Sequence, residues 1–137
     1  MTSFVWHIDS ENYLNNNSPH ADKMSTKHFI DKICRCLDNY SKKYSLEQLK
    51  NGVIPHSHSC SNLRTKSGRA AKQLYGHLKR INENLANEQT QIDANDIYQL
   101  KIKGIVEKQE YRCFGYILPD DDVFHLVYLD PDHEVYE

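Results

Sequence analysis

No stretch of this chain approaches the roughly 18 consecutive apolar residues of a membrane-spanning helix. The first residues, MTSFVWHIDSE, lack the basic and apolar regions of a secretory signal. Cysteine is scarce, four in 137 residues, so free thiols are expected rather than a disulfide framework. There is no internal repeat. Apolar and charged fractions of 39% and 26% are ordinary for a folded domain, which argues against wholesale disorder. What remains is a single domain, residues 1–137, of a soluble cytoplasmic protein with no membrane partner. It divides into an amino-terminal arm with helices over 1–92 and a sheet over 97–137.

A net charge of −2 hides an asymmetry. Residues 61–85 hold six basic side chains against Glu83 alone, whereas residues 86–137 hold twelve acidic against four basic. A basic middle can approach a polyanion such as RNA. It can equally be a solvated helix face that balances an acidic sheet.

Local patterns give the elements. Residues 4–8 are a short apolar run, read as a strand or a docked arm, and residues 10–23 are a polar, Asn-rich loop broken by Pro19. Ser25 caps a helix to about residue 40, with Phe29, Ile30, Ile33, Leu37 and Tyr40 at helical spacing. Ser45 and Gln48 fit a capping box for a short helix that stops at Gly52, and residues 53–55 are extended. The clearest helix runs from 67 to about 85. Ala70, Ala71, Leu74, Tyr75, Leu78, Ile81 and Leu85 form its apolar stripe, with Arg69, Lys72, Lys79 and Arg80 largely off it. Asp93 caps a short turn, and residues 97–103 read equally as helix end or strand. Gly104 ends that segment.

Residues 111–137 are rich in Phe, Tyr, Val, Ile and Leu, which suit a pleated surface. Pro119-Asp-Asp-Asp and Asp130-Pro131-Asp132 supply turn chemistry, so a hairpin and a third short strand are expected. A four-residue loop at 119–122 pairs Leu118 with Val123, Tyr116 with His125, and Arg112 with Leu129. Alternation then puts Arg112, Phe114, Tyr116, Val123, His125, Val127 and Leu129 on one face. Tyr111, Cys113, Ile117, Phe124, Leu126 and Tyr128 fall on the other, which should meet the helices; a bulge would exchange the two sets. The fold class is therefore α+β: two or three helices packed on one face of a small antiparallel sheet formed mainly by the C-terminal third.

Three groups of side chains could carry chemistry. The first is Lys101, Lys103, Arg112, Tyr116, His125, His133 and Tyr136 on and around the sheet. RNA cleavage needs a base for the 2′-hydroxyl, a cation for the phosphate and an acid for the leaving oxygen, and these side chains can supply all three. Packing of the tyrosines and pairing of Arg112 with a nearby acid is the structural alternative. The second group is His56, His58 and Cys60, which read as a plain solvated loop, as polar loop groups at the rim of the hairpin joined by Arg64, or as part of a zinc site completed by Cys34 or Cys36. The third is His7, Asp9 and Glu11, on one face of a strand by alternation, which read as a solvated strand edge or as groups able to relay protons or bind a metal. Arg64, Arg69 and Lys72 are the candidate RNA-binding cations of the basic segment, with His56 and His58 beside them.

The succession of two helices and a sheet ending in YR-x-FGYI, VFHLVYLD and HEVY resembles the RelE/ParE toxin superfamily over residues 97–137. Lys103-Gly104 stands at a basic Lys-Gly element of that family, and residues 133–136 stand for its tail, with Glu134 where an arginine is usual. The resemblance implies a toxin that cleaves ribosome-associated mRNA without a metal or other cofactor and is held by a protein antitoxin. By position, Arg112 would grip the phosphate, and His125, His133 or Tyr136 would transfer protons. A non-catalytic interaction module of a multi-protein defence system, or a small zinc-binding protein, are the competing expectations.

Overall fold

The computed structural model describes residues 4–9, 26–54, 57–85, 92–103, 110–118, 122–130 and 135. Its elements run β1 (Val5–Ile8), α1 (Thr26–Lys43), α2 (Leu46–Lys50), β2 (His58–Ser59), α3 (Arg69–Asn84), β3 (Ile97–Lys103), β4 (Glu110–Tyr116) and β5 (Val123–Asp130), with 3-10 turns at Leu63–Thr65 and Ala94–Asp96. The strands form one sheet in the order β1-β5-β4-β3-β2. β2 to β5 are antiparallel neighbours, and β1 joins β5 in parallel, so the sheet is mixed. The α+β class holds, with most of the sheet drawn from the C-terminal third.

Helices cover both faces of the sheet, not one. Leu37 of α1 and Leu46 and Leu49 of α2 pack with Leu100, Cys113, Phe124, Leu126 and Leu129 on the first face. Ala70, Leu74, Leu78 and Ile81 of α3 pack with Ile97, Phe114, Tyr116, Val127 and Tyr128 on the second. Ile97 and Leu100 differ in strand parity, so they point to opposite sides and each needs its own apolar cover. The sequence contains two amphipathic helical patterns, and each is spent on a different face.

Local chemistry sets the element ends. Ser45 accepts from the Gln48 amide while the Gln48 side chain accepts from the Ser45 amide, the expected reciprocal box. Gly52 follows with a φ of 72°, a conformation that costs glycine little. Gly68, not Ser67, stands at the N-terminus of α3. The segment 97–103 is a strand along its whole length, because β4 offers it seven paired positions.

Between β4 and β5 the pairing carries a bulge. Tyr116 faces His125 as expected, but Phe114 faces Tyr128 and Arg112 faces Asp130, one position beyond Leu129. The extra residue lets both Val127 and Tyr128 join the α3 side, while Leu129 turns to the α1 side. Gly115 sits at this irregularity. A Cβ there would run into the Phe124 ring and lie 2.7 Å from the His125 carbonyl oxygen. The third short strand expected near the C-terminus lies outside the described residues except for Val135, a buried turn residue.

β1 is tied to the helical layer as well as to β5. The Phe4 amide donates to the Ser41 carbonyl at 3.2 Å, and the Trp6 indole donates to Asp38 at 2.8 Å. Tyr40 donates to the Lys101 carbonyl at 2.7 Å, and burial raises its phenol well above the usual range, so it stays a donor. These contacts hold the edge strand in the register that builds the site.

Candidate active site

Parallel pairing sets His7 directly beside His125, and antiparallel pairing sets His125 beside Tyr116. Odd positions of β1 share a face, so His7 and Asp9 both point to the side on which Tyr116 and His125 lie. The Asp9 amide continues the ladder by donating to the Leu126 carbonyl at 3.0 Å, which fixes where its carboxylate stands. Four chemically active side chains thus meet on three adjacent strands.

Their contacts are specific. His7 Nε2 and His125 Nδ1 share a hydrogen bond at 2.5 Å, with the rings edge-on at 4.6 Å between centroids. The Tyr116 ring stacks on His125 at 4.5 Å and 10°. The Tyr116 hydroxyl donates to Asp9 Oδ2 at 2.6 Å. Exposure rises across the row: Tyr116 is buried, His125 and Asp9 are half-buried, and His7 is exposed. A rigid interior therefore orients an imidazole pair that solvent and solutes can reach.

This arrangement suits proton transfer. In a hydrogen-bonded pair of neutral imidazoles the two inner nitrogens are taken up by each other, which leaves a lone pair on the outer nitrogen of the donor ring and an N–H on that of the acceptor ring, a base and an acid linked through one shared proton. Stacking fixes the plane of the His125 ring, and the Asp9–Tyr116 bond fixes the phenol that stacks on it.

The two halves of this site fell into separate groups in the sequence: His7 with Asp9, and Tyr116 with His125. Their union depends on the β1–β5 pairing, which no local motif encodes. Arg112 does not join them. It lies four residues along β4 from Tyr116, about 13 Å at strand rise, and is 5% exposed. A guanidinium so enclosed is not poised to grip a phosphate at the surface, which corrects the role expected of it. Lys101 pairs with Arg112 in register, as Lys103 does with Glu110, and both are remote from the histidines.

His58 is also elsewhere. β2 lies three strands from β5, roughly 14 Å away, so the expected placement of this loop beside His125 is overturned for His58. Its Nδ1 bonds the Ser59 carbonyl and its Nε2 meets the Gln99 amide nitrogen, each at 2.9 Å, which makes it a structural pairing. Gln99 is a buried polar residue that no local motif marks. Cys60 packs in the α3 core and Cys36 in the α1 core, on opposite faces of the sheet, so they cannot complete one zinc site. Among the described residues no three His, Cys, Asp or Glu side chains are grouped to hold a metal. Arg64, Arg69 and Lys72 are exposed. Glu11, His56, His133 and Tyr136 lie outside the described residues. No helix among those described is long and apolar enough to cross a membrane.

Comparison with protein-family models, with curated proteins and with solved structures finds no match to this chain.

Proposed function

We propose that this chain is a toxin-like ribonuclease that cleaves RNA by acid–base catalysis at the His7–His125 pair. The observation that carries the reading is the direct contact of two imidazoles on an accessible sheet edge, braced by Tyr116 and Asp9. In the proposed reaction the outer lone pair of one imidazole takes the proton of a ribose 2′-hydroxyl, the shared proton moves across the His7–His125 bond, and the 2′-oxygen attacks the adjacent phosphorus. The bond from phosphorus to the 5′-oxygen breaks, and the outer N–H of the other imidazole supplies that oxygen with a proton. A 2′,3′-cyclic phosphate and a 5′-hydroxyl result, with no change in the number of protons held by the pair. Tyr116 and Asp9 are positioning residues in this scheme. The reading places the chain in the cytoplasm, acting on mRNA at the ribosome and restrained by a protein antitoxin.

The test is incubation of the purified chain with labelled RNA and identification of the ends. Cleavage leaving cyclic phosphate is expected, with losses of about 10²–10⁴-fold in His7→Ala and His125→Ala. Expression should slow growth, and His125→Ala should relieve it. Intact RNA together with harmless expression of the unaltered chain would overturn the proposal.

A second reading is favoured by the sheet edge itself. Among the described residues β1 pairs on one side only, and Val5 on it is 62% exposed, as suits a strand that adds to a partner protein. Stable co-purification with one protein, combined with full function of a His125→Ala variant, would select the interaction module instead.

A further inference from the structure

A cleft of about 580 Å³ opens between α3, the 3-10 turn Leu63–Thr65 and the turn at residues 92–95. None of its lining residues belongs to β1, β4 or β5, so it stands apart from the histidine pair. Its size falls in the range of small-ligand pockets, about 300–1,000 Å³. Arg64 and Lys79 bring two cations to it against the single carboxylate of Asp93. One oxygen of that carboxylate already accepts from the Asn95 amide at 2.7 Å.

The walls are built, not incidental. Asn82 spans from α3 to the facing strand of backbone, donating to the Ile92 carbonyl at 2.8 Å and accepting from its amide at 2.9 Å. Asp96 accepts from the Asp93 amide at 2.9 Å, and Ser59 donates to the Asn95 carbonyl at 3.1 Å. Leu78 and Ile92, both buried, contribute an apolar floor. Tyr75 is 38% exposed on the rim. Beside it Gly76 has nothing within 4 Å of where a Cβ would stand, which leaves a flat backbone shelf next to an aromatic ring.

We propose that this cleft binds a nucleoside monophosphate unit, the base lying on the Tyr75–Gly76 shelf and the phosphate between Arg64 and Lys79. Stacking on an aromatic ring tolerates any base, and a guanidinium matches phosphate oxygens in geometry. A bare phosphate would leave the shelf and the floor unused. The unit can come from a free nucleotide or from one residue of an unpaired RNA strand. The inference does not rest on the ribonuclease reading, since the cleft shares no residue with the histidine pair.

Calorimetric titration of the full chain with adenosine 5′-monophosphate, with inorganic phosphate and with a short single-stranded oligoadenylate tests it. The nucleotide is expected to bind at least five-fold more tightly than phosphate. Arg64→Ala with Lys79→Ala should weaken nucleotide binding ten-fold or more, and Tyr75→Ala should remove the advantage over phosphate. Lys42→Ala, which removes an exposed cation of α1 outside the cleft, should leave binding unchanged. Tighter binding of the oligonucleotide assigns the unit to a strand, and tighter binding of the mononucleotide assigns it to a free ligand. Thermal unfolding of each variant verifies that the fold is intact. Absence of nucleotide binding, equal affinity for phosphate, or indifference of a folded Arg64/Lys79 double variant would overturn the proposal.

Discussion

Adding one methyl group at Gly115 should damage this protein more than its size suggests, and the reason lies in the bulge. The new Cβ would stand 2.7 Å from the His125 carbonyl oxygen and inside the contact distance of the Phe124 ring. The oxygen belongs to backbone in the middle of the sheet and cannot swing aside. Phe124 is fully buried and packs edge-on to Phe4 at 6.4 Å, so its ring has nowhere to go without disturbing the residue that leads into β1. Overpacking of this kind costs about 1–3 kcal/mol, and a backbone clash belongs at the upper end. For a chain of this length that is a fall in Tm of roughly 6–15 °C. Displacing Phe4 also loosens β1, so the proposed RNA cleavage should fall beyond what the lost stability explains. The same substitution at Gly76 is the internal control. Nothing surrounds a Cβ there, and replacing glycine inside a helix stabilises by about 0.5–1 kcal/mol. Differential scanning fluorimetry of Gly115→Ala and Gly76→Ala should therefore give shifts of opposite sign. A Gly115→Ala protein within about 2 °C of the parent and equally active would refute the reasoning.

Tyr116→Phe keeps the stack on His125 but loses the bond to Asp9; about 1.5 kcal/mol of stability should go with it, and kcat should fall with little change in KM, as steady-state kinetics would show. Cys113 is enclosed and its thiol is raised by burial first and by neighbouring Cys36 second, so the reactive thiolate is suppressed. In the native protein a maleimide should label half-buried Cys34 and Cys36 while sparing Cys113, and mass spectrometry that finds Cys113 labelled first would contradict the packing. The Asp96 carboxyl is raised, chiefly by desolvation, so the folded state holds its proton more tightly than the unfolded chain does. Its contribution to stability is complete below the ordinary carboxylate pKa and is lost as pH rises through the raised value. Asp96→Asn keeps an acceptor for the Asp93 amide, so its Tm relative to the parent should climb over that window; a difference independent of pH would count against the shift.

Elements whose cause is local were legible in the sequence. The Ser45–Gln48 box needs only four residues and formed as its chemistry dictates. The α3 stripe repeats over four turns, and Ala70, Ala71, Leu74, Leu78 and Ile81 are all buried, although Tyr75 at the stripe's edge remains partly exposed. Loop length sufficed to set Tyr116 opposite His125. The bulge directly after the next pair, Gly115–Leu126, was not legible, because Val127 and Tyr128 are both apolar and either can satisfy the α3 face. Nor was the depth of Arg112. Arginine is mostly exposed on general grounds, and the 5% exposure of Arg112 goes with a place on β4 in the middle of the sheet, between Lys101 of β3 and Asp130 of β5 in register.

The candidate site was half legible for a single physical reason. Alternation places His7 with Asp9 and, separately, Tyr116 with His125, because each relation spans one strand or one hairpin. His7 and His125 are 118 residues apart, and a parallel pair is closed by a crossover that leaves no turn motif to read. The four residues of β1 are too few to show a periodicity that names their partner. The contact that creates the acid–base pair is therefore also among the most non-local in the molecule. Antiparallel pairing of β2 through β5 provides a sheet without β1, whereas the imidazole pair exists only once β1 has docked. Its docking depends on the Trp6–Asp38 and Phe4–Ser41 bonds to α1 and on the Phe4–Phe124 contact. Those groups lie on the face opposite the histidines. The stability of the edge and the chemistry of the site are thus assigned to different faces of one strand, so a change at Trp6 can abolish the site while leaving every residue of the row in place in the sequence.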